Sequence, residues 1–118
     1  MDRFAQTPEP PYFAVIFSNQ HSDQLADYEQ VARRMVELAT TMDGFLGVES
    51  TRDASGFGIT VSYWRDEEAI AAWKSHAEHA IARRRGRTEW YKDFHLRVAK
   101  VERAYSLANA ETGARKLL

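Results

Sequence analysis

Two β-rich runs separated by four turn-forming residues, and followed directly by a capped helix, occupy the middle of the chain. Leu46–Thr51 and Phe57–Trp64 carry the β-branched and aromatic residues that suit a pleated strand. Asp53-Ala54-Ser55-Gly56 between them is short and turn-rich, so the two runs should form an antiparallel hairpin. The outgoing run, Gly58-Ile59-Thr60-Val61-Ser62-Tyr63-Trp64, hands over to Asp66, Glu67 and Glu68, whose negative charge suits the positive end of a helix dipole. The helix so opened puts Ile70, Trp73, Ala77, Ala80 and Ile81 on one face, with His76 on its border and His79 further out toward solvent. Arg83, Arg84 and Arg85 close it, and Gly86 is its natural stop.

The flanking segments complete the pattern. Pro8, Pro10 and Pro11 make residues 1–11 an extended arm. Tyr12 to Asn19 reads as a strand apolar at almost every position, hence covered on both faces. Ser22 or Asp23 can cap a helix along which Leu25, Tyr28, Ala32, Met35, Ala39 and Met42 recur three or four apart, before Asp43-Gly44 stops it. Lys92 to Ser106 alternates like a long final strand. The division is therefore an arm over 1–11, a domain over 12–106 and a tail, or frayed helix, over 107–118. The order β-α-β-β-α-β is that of the α+β ferredoxin-like fold, a four-stranded antiparallel sheet with two helices on one face. Its other face is left open, and the apolar first strand and long last strand are ill suited to water there. Two copies packed sheet to sheet, a homodimer, would cover it.

Composition narrows the chemistry. With 118 residues and 44% hydrophobic content, the chain can furnish the core of one domain. Absent cysteine removes disulfides, thiolate metal sites and cysteine nucleophiles, and suits a cytoplasmic location. The N-terminus is polar and proline-rich, unlike a signal peptide, and no run has the roughly 20 apolar residues of a membrane span. A net charge of −1 offers no general attraction to nucleic acid or anionic lipid.

At this level the chain resembles the antibiotic biosynthesis monooxygenase family. The resemblance is carried by Gly58 to Trp64, by the helix Glu68-Ala69-Ile70 through Trp73-Lys74 to His76 and His79, by Gly86-Arg87 through Trp90-Tyr91, and by the strand Arg97 to Arg103. It covers roughly residues 12–106 and implies a dimeric α+β barrel made of two ferredoxin-like subunits. Some members oxidise aromatic phenols with molecular oxygen and neither metal nor flavin; others degrade haem; fold transfers within such a family more readily than activity. The haem-degrading members carry an iron-binding histidine about ten residues after the helix tryptophan. Arg83 stands there in this chain and cannot ligate iron, and Asn19 sits too late on its strand to match their helper asparagine.

These considerations mark His76 as the candidate catalytic base, because a histidine at the edge of an apolar face titrates near neutrality. A structural polar contact is its alternative. Trp73, Tyr63, Tyr91 and Arg97 are the candidate pocket residues. Trp73 doubles as a core aromatic, and Tyr91 or Trp90 as a plug in the crossover before the last strand. Arg97 needs a carboxylate, from Glu49 or Glu102, or else an anionic ligand. His76 and His79, three apart, splay by roughly 60° and lack a third ligand, so no metal site is expected. The expected function is oxidation of a phenol or hydroquinone by molecular oxygen, with no cofactor. Its partners are that aromatic substrate and a second copy of the chain, with no nucleic acid and no membrane. The alternatives are a non-catalytic binder of a small hydrophobic ligand, or a structural dimer, with haem binding last.

Overall fold

A computed structural model, described over residues 3–109, has the expected order with one added break. The elements are β1 (Tyr12–His21), α1 (Tyr28–Ala39), β2 (Phe45–Arg52), β3 (Phe57–Trp64), α2 (Glu67–Ser75), α3 (Ala77–Arg85) and β4 (Tyr91–Val101). The four strands form one antiparallel sheet in the order β2-β3-β1-β4, a ferredoxin-like α+β arrangement. β1 and β3 are central. Asp53 closes the β2–β3 hairpin by accepting hydrogen bonds from the backbone N–H groups of Ser55 at 2.9 Å and Phe57 at 3.2 Å.

Period-2 alternation along β1 divides the sheet into two faces. Phe13, Val15, Phe17, Asn19 and His21 look toward the helices, opposite Trp64, Ser62, Thr60 and Gly58 of β3. Tyr12, Ala14, Ile16 and Ser18 look the other way, opposite Tyr63, Val61 and Ile59. The N-terminal arm lies across one end of this second face. Ala5 donates its N–H to Glu49 at 3.1 Å and the Thr7 hydroxyl donates to Tyr12 at 3.1 Å. Gly47 admits the arm, because a Cβ there would stand 2.7 Å from that of Ala5.

Several expectations need correction. The helix of residues 66–85 is two helices, since His76 takes an extended conformation (φ −60°, ψ 131°) and ends α2 as it caps α3. The first helix starts later than its stripe suggests, at Tyr28 behind left-handed Asp27, which leaves Leu25 outside it. Ser22 instead accepts the Gln24 N–H at 3.0 Å and donates to the Glu89 carbonyl. α3 ends at Arg85 with Gly86 as its cap, as expected, but the chain does not leave the helix there: Gly86 stays right-handed (φ −56°) and a wide π turn follows over Gly86–Trp90. The last strand ends at Val101 rather than Ser106, with a short 3-10 turn at Leu107–Asn109; the rest of the expected tail, 110–118, lies outside the described residues. No helix among the described residues is long and apolar enough to cross a membrane.

Candidate active site

The helix-facing row of β1 starts apolar and ends polar, and that change makes the site. Asn19 is 2% exposed, and its side-chain Oδ1 has no hydrogen-bond partner among the described residues. Its amide Nδ2 reaches only the Phe17 carbonyl, at 3.5 Å. Two positions on, His21 likewise keeps its Nε2 buried and unpartnered. Leaving one such group unsatisfied costs about 1–3 kcal/mol, so two side by side on one strand mark a place not optimised for stability.

Aromatic rings flank His21. The His21 ring meets Tyr28 edge-on at 4.4 Å and stacks on Tyr91 at 5.8 Å. Tyr28 is delivered by the first turn of α1, where its ring also packs edge-on against Trp90 at 5.4 Å. Trp90 is pinned from both sides: its Nε1 donates to the Ala26 carbonyl at 3.0 Å, and the Arg85 guanidinium lies 4.8 Å over its ring. A slip in the β1–β4 register pairs His21 with Tyr91 where regular pairing would bring Lys92, and so turns the Tyr91 ring to the helix side. There it packs against Phe17 at 5.2 Å.

Arg52, the last residue of β2, supplies the charge. Its guanidinium donates to the Gly56 carbonyl at 2.6 Å and to the Tyr28 hydroxyl at 3.2 Å. It lies over Gly58, where a Cβ would come within 2.7 Å of it. Burial, and then the positive charge of Arg52, lowers the His21 pKa, so His21 is a neutral imidazole near neutral pH. Burial, and then the neighbouring Tyr28, pushes the Tyr91 phenol above its usual range and keeps it a protonated donor. The cluster thus offers an unpartnered acceptor (Asn19), a neutral imidazole (His21), two phenols and a cation.

The residues singled out in the sequence do not all converge here. Tyr91 belongs to this cluster. Trp73 and His76 lie at the other end of the helix-facing side, where Trp73 stacks on Trp64 at 6.0 Å and on His79 at 4.2 Å. His76 is half-buried, 6.3 Å from Trp73 between ring centres, and its Nδ1 accepts the Glu78 N–H at 3.2 Å as a helix cap. His79 is turned inward, not toward solvent, because the break at His76 resets the helix phase. Its Nδ1–H donates to the Trp73 carbonyl at 3.0 Å, and burial takes its pKa from 6.5 to about 4. Tyr63 and Arg97 are on the opposite face of the sheet. The Tyr63 hydroxyl donates to Glu49 at 2.6 Å, with its pKa pushed up to about 12 by burial and then by that carboxylate. Glu49 therefore serves Tyr63 and Ala5, and Arg97 stands exposed without it. No three histidine, aspartate or glutamate side chains among the described residues gather to hold a metal ion.

His21 and Arg52 escaped the sequence reading, which places Tyr28 only on the stripe of the first helix and sets Asn19 aside as sitting too late on its strand. The signal was present in β1, whose alternation places Asn19 and His21 on the face of Phe13, Val15 and Phe17. A run judged by its overall apolarity hides two polar residues at its end.

Comparison with known proteins agrees with this fold. The model of the antibiotic biosynthesis monooxygenase family matches residues 11–85. The chain is 53% identical over 103 residues to the uncharacterized protein YqjZ of Bacillus subtilis, covering 87% of this chain and 90% of that one. It is 34% identical over 94 residues to a jasmonate monooxygenase of Pyricularia oryzae, covering 75% of this chain but 43% of the longer relative. Among solved structures, Rv0793 from Mycobacterium tuberculosis superposes with a TM-score of 0.70 at 14% identity, over 80% of this chain and 99% of that one. SnoaB, a cofactor-independent oxygenase from Streptomyces nogalater, superposes at 0.68 and 12% identity, over 79% and 95%.

Proposed function

The chain belongs to the antibiotic biosynthesis monooxygenase family, and from that premise we propose that it is a monooxygenase using the substrate's own electrons, with its site at Asn19 and His21. The observation that carries this reading is the pair of buried, unpartnered polar atoms on β1, His21 being flanked by the Tyr28 and Tyr91 rings. The name of the Pyricularia relative supports oxygen insertion as the reaction class. The substrate is a phenol or hydroquinone, and two copies associate through the open sheet face.

The substrate hydroxyl would pass its proton to His21, whose lowered pKa leaves it neutral and ready to accept, and the second hydroxyl of a hydroquinone would donate to Asn19 Oδ1. The resulting phenolate is electron-rich enough to reduce oxygen in two one-electron steps, forming a carbon–oxygen bond. His21 returns its proton to give a hydroperoxide. Loss of the hydrogen on that carbon with cleavage of the O–O bond then yields a ketone or quinone carbonyl and one water. One oxygen atom enters the product and the other leaves as water, so no external reductant is needed. Tyr91 and Tyr28 form the walls. Proton transfer falls to His21 in this reading, since His76 Nδ1 is engaged at the start of α3.

Oxygen uptake with a panel of naphthols and hydroquinones tests the proposal. His21→Phe, which keeps the ring contacts, should slow uptake by about a hundredfold or more, the usual worth of a general base. Unchanged uptake in that variant would remove His21 from the chemistry. Saturable binding with no uptake from any member of the panel would leave a binding module.

A further inference from the structure

The proton chemistry above leaves the guanidinium of Arg52 unexplained. Arg34, Arg65 and Arg85 each hold a carboxylate, that of Glu78, Asp43 and Glu89 respectively. Arg52 is half-buried, yet no carboxylate lies within ion-pair distance of it among the described residues. Both its hydrogen bonds go to neutral oxygens, the Gly56 carbonyl and the Tyr28 hydroxyl. Asp53, its neighbour in sequence, is engaged by the hairpin turn through Ser55 and Phe57. Withdrawing a cation from water without a counter-charge is unfavourable. The chain nevertheless makes room for it by placing Gly58 beneath the guanidinium. Gly58 is paired across the sheet with Asn19, so the unbalanced cation and the unpartnered acceptor lie on adjacent strands of one face.

We propose that Arg52 is an anion subsite of this active site, and that the substrate carries a carboxylate seated on its guanidinium while a hydroxyl of the same molecule reaches Asn19 and His21. The proposal rests on the oxygenase reading for the role of that hydroxyl. The planar guanidinium fork matches a carboxylate, and one such group among aromatic rings suits a monoanion on a flat organic body. A phosphate dianion would call for a second cation, and neighbouring Arg85 is already engaged by Glu89 and Asp27.

Calorimetric titration of the full chain with a hydroxynaphthoate, the naphthol lacking its carboxylate, and inorganic phosphate tests the assignment. The hydroxynaphthoate should bind at least about tenfold more tightly than the naphthol, and more tightly than phosphate. Arg52→Gln should erase that preference by weakening the hydroxynaphthoate more than the naphthol, and Arg52→Lys should restore part of it. Gly58→Ala, which keeps the charge but drives the guanidinium from its seat, should erase it as well. Equal affinities in the wild type, no detectable binding of the hydroxynaphthoate, or a preference surviving both Arg52→Gln and Gly58→Ala would overturn the subsite. Tighter binding of phosphate would overturn the choice of carboxylate. A carboxylate preference without oxygen uptake would keep the subsite and remove the oxygenase reading; uptake without the preference would do the reverse.

Discussion

Two histidines on the helix-facing side are held neutral by burial, and they differ in what their spare nitrogen meets. His79 is satisfied, with its ring against Trp73 and its Nδ1–H on the Trp73 carbonyl. His21 keeps Nε2 unpartnered beside Asn19. The first arrangement stabilises a fold, whereas the second resembles a site awaiting a ligand. The depressed pKa of His79, about 4 against an ordinary 6.5, fixes a pH dependence. Between those values the unfolded chain binds a proton that the native state refuses, so stability falls as pH drops through this window and is fully present above it. His79 can account for at most about 3 kcal/mol of that loss, and His21 adds to it in the same direction. Carboxylates whose pKa is held down by partners, such as Asp66 and Glu78, lose their contribution mostly at lower pH. Urea unfolding compared at about pH 7 and about pH 4.5 should therefore show a smaller loss in His79→Phe than in the wild type. Identical losses would mean that His79 is not the titrating group.

The element least legible in the sequence is the junction of α2 and α3. Neither Gly nor Pro interrupts residues 66–85, so the helical period runs on unbroken. In one continuous helix His79 would stand roughly 240° around from Trp73. The break is flanked by side-chain hydrogen bonds to backbone carbonyls of α2, of which that of Trp73 also accepts the His76 N–H at 3.1 Å. His79 bonds that of Trp73, Arg83 reaches that of Lys74 at 3.5 Å, and the Ser75 hydroxyl bonds back to Ala71 at 3.0 Å. The contacts of His79 and Arg83 form only once the two segments have folded together, which is why local pattern does not disclose them. The strands were legible because their alternation and the Asp53–Gly56 turn are local, and β3 spans the residues expected of it. The site was not, because it depends on a register slip at Tyr91 and on the seat that Gly58 leaves for the Arg52 guanidinium. The cap at the junction gives a direct test of His76. His76→Ala should cost about 1 kcal/mol in chemical unfolding, and His76→Ser, an established cap, should recover it. Oxygen uptake should follow stability through both variants. Recovery of stability in His76→Ser with uptake still absent would return the base to His76.

At the scale of the whole molecule, the sheet is covered unequally on its two faces. α1, α2 and α3 shelter one side, although on β4 the rings and branches of Phe94, Leu96 and Val98 remain 37%, 55% and 46% exposed. On the other side the arm reaches only the end bearing Tyr12, Tyr63 and Glu49. Beyond it Phe57 and Ile59 stand 43% and 37% exposed beside Ile16 and Val61, with Arg97 at the margin. A contiguous apolar patch of this kind is suited to a second copy. Because the arm occupies one end, the partner would have to seat over the Phe57–Val61 half. Ile59→Asp discriminates this arrangement from an isolated subunit. In a monomer the substitution costs only the partial burial of Ile59, about 1–2 kcal/mol, since that residue is already 37% exposed and its backbone stays in β3. Within a face-to-face pair it would bury two unpaired carboxylates, a penalty of several kcal/mol that exceeds what a small interface can absorb. Sedimentation should find the wild type as a dimer and Ile59→Asp as a folded monomer. A wild type that sediments as a monomer at every concentration, or a variant that still dimerises, would show that this face does not join two copies.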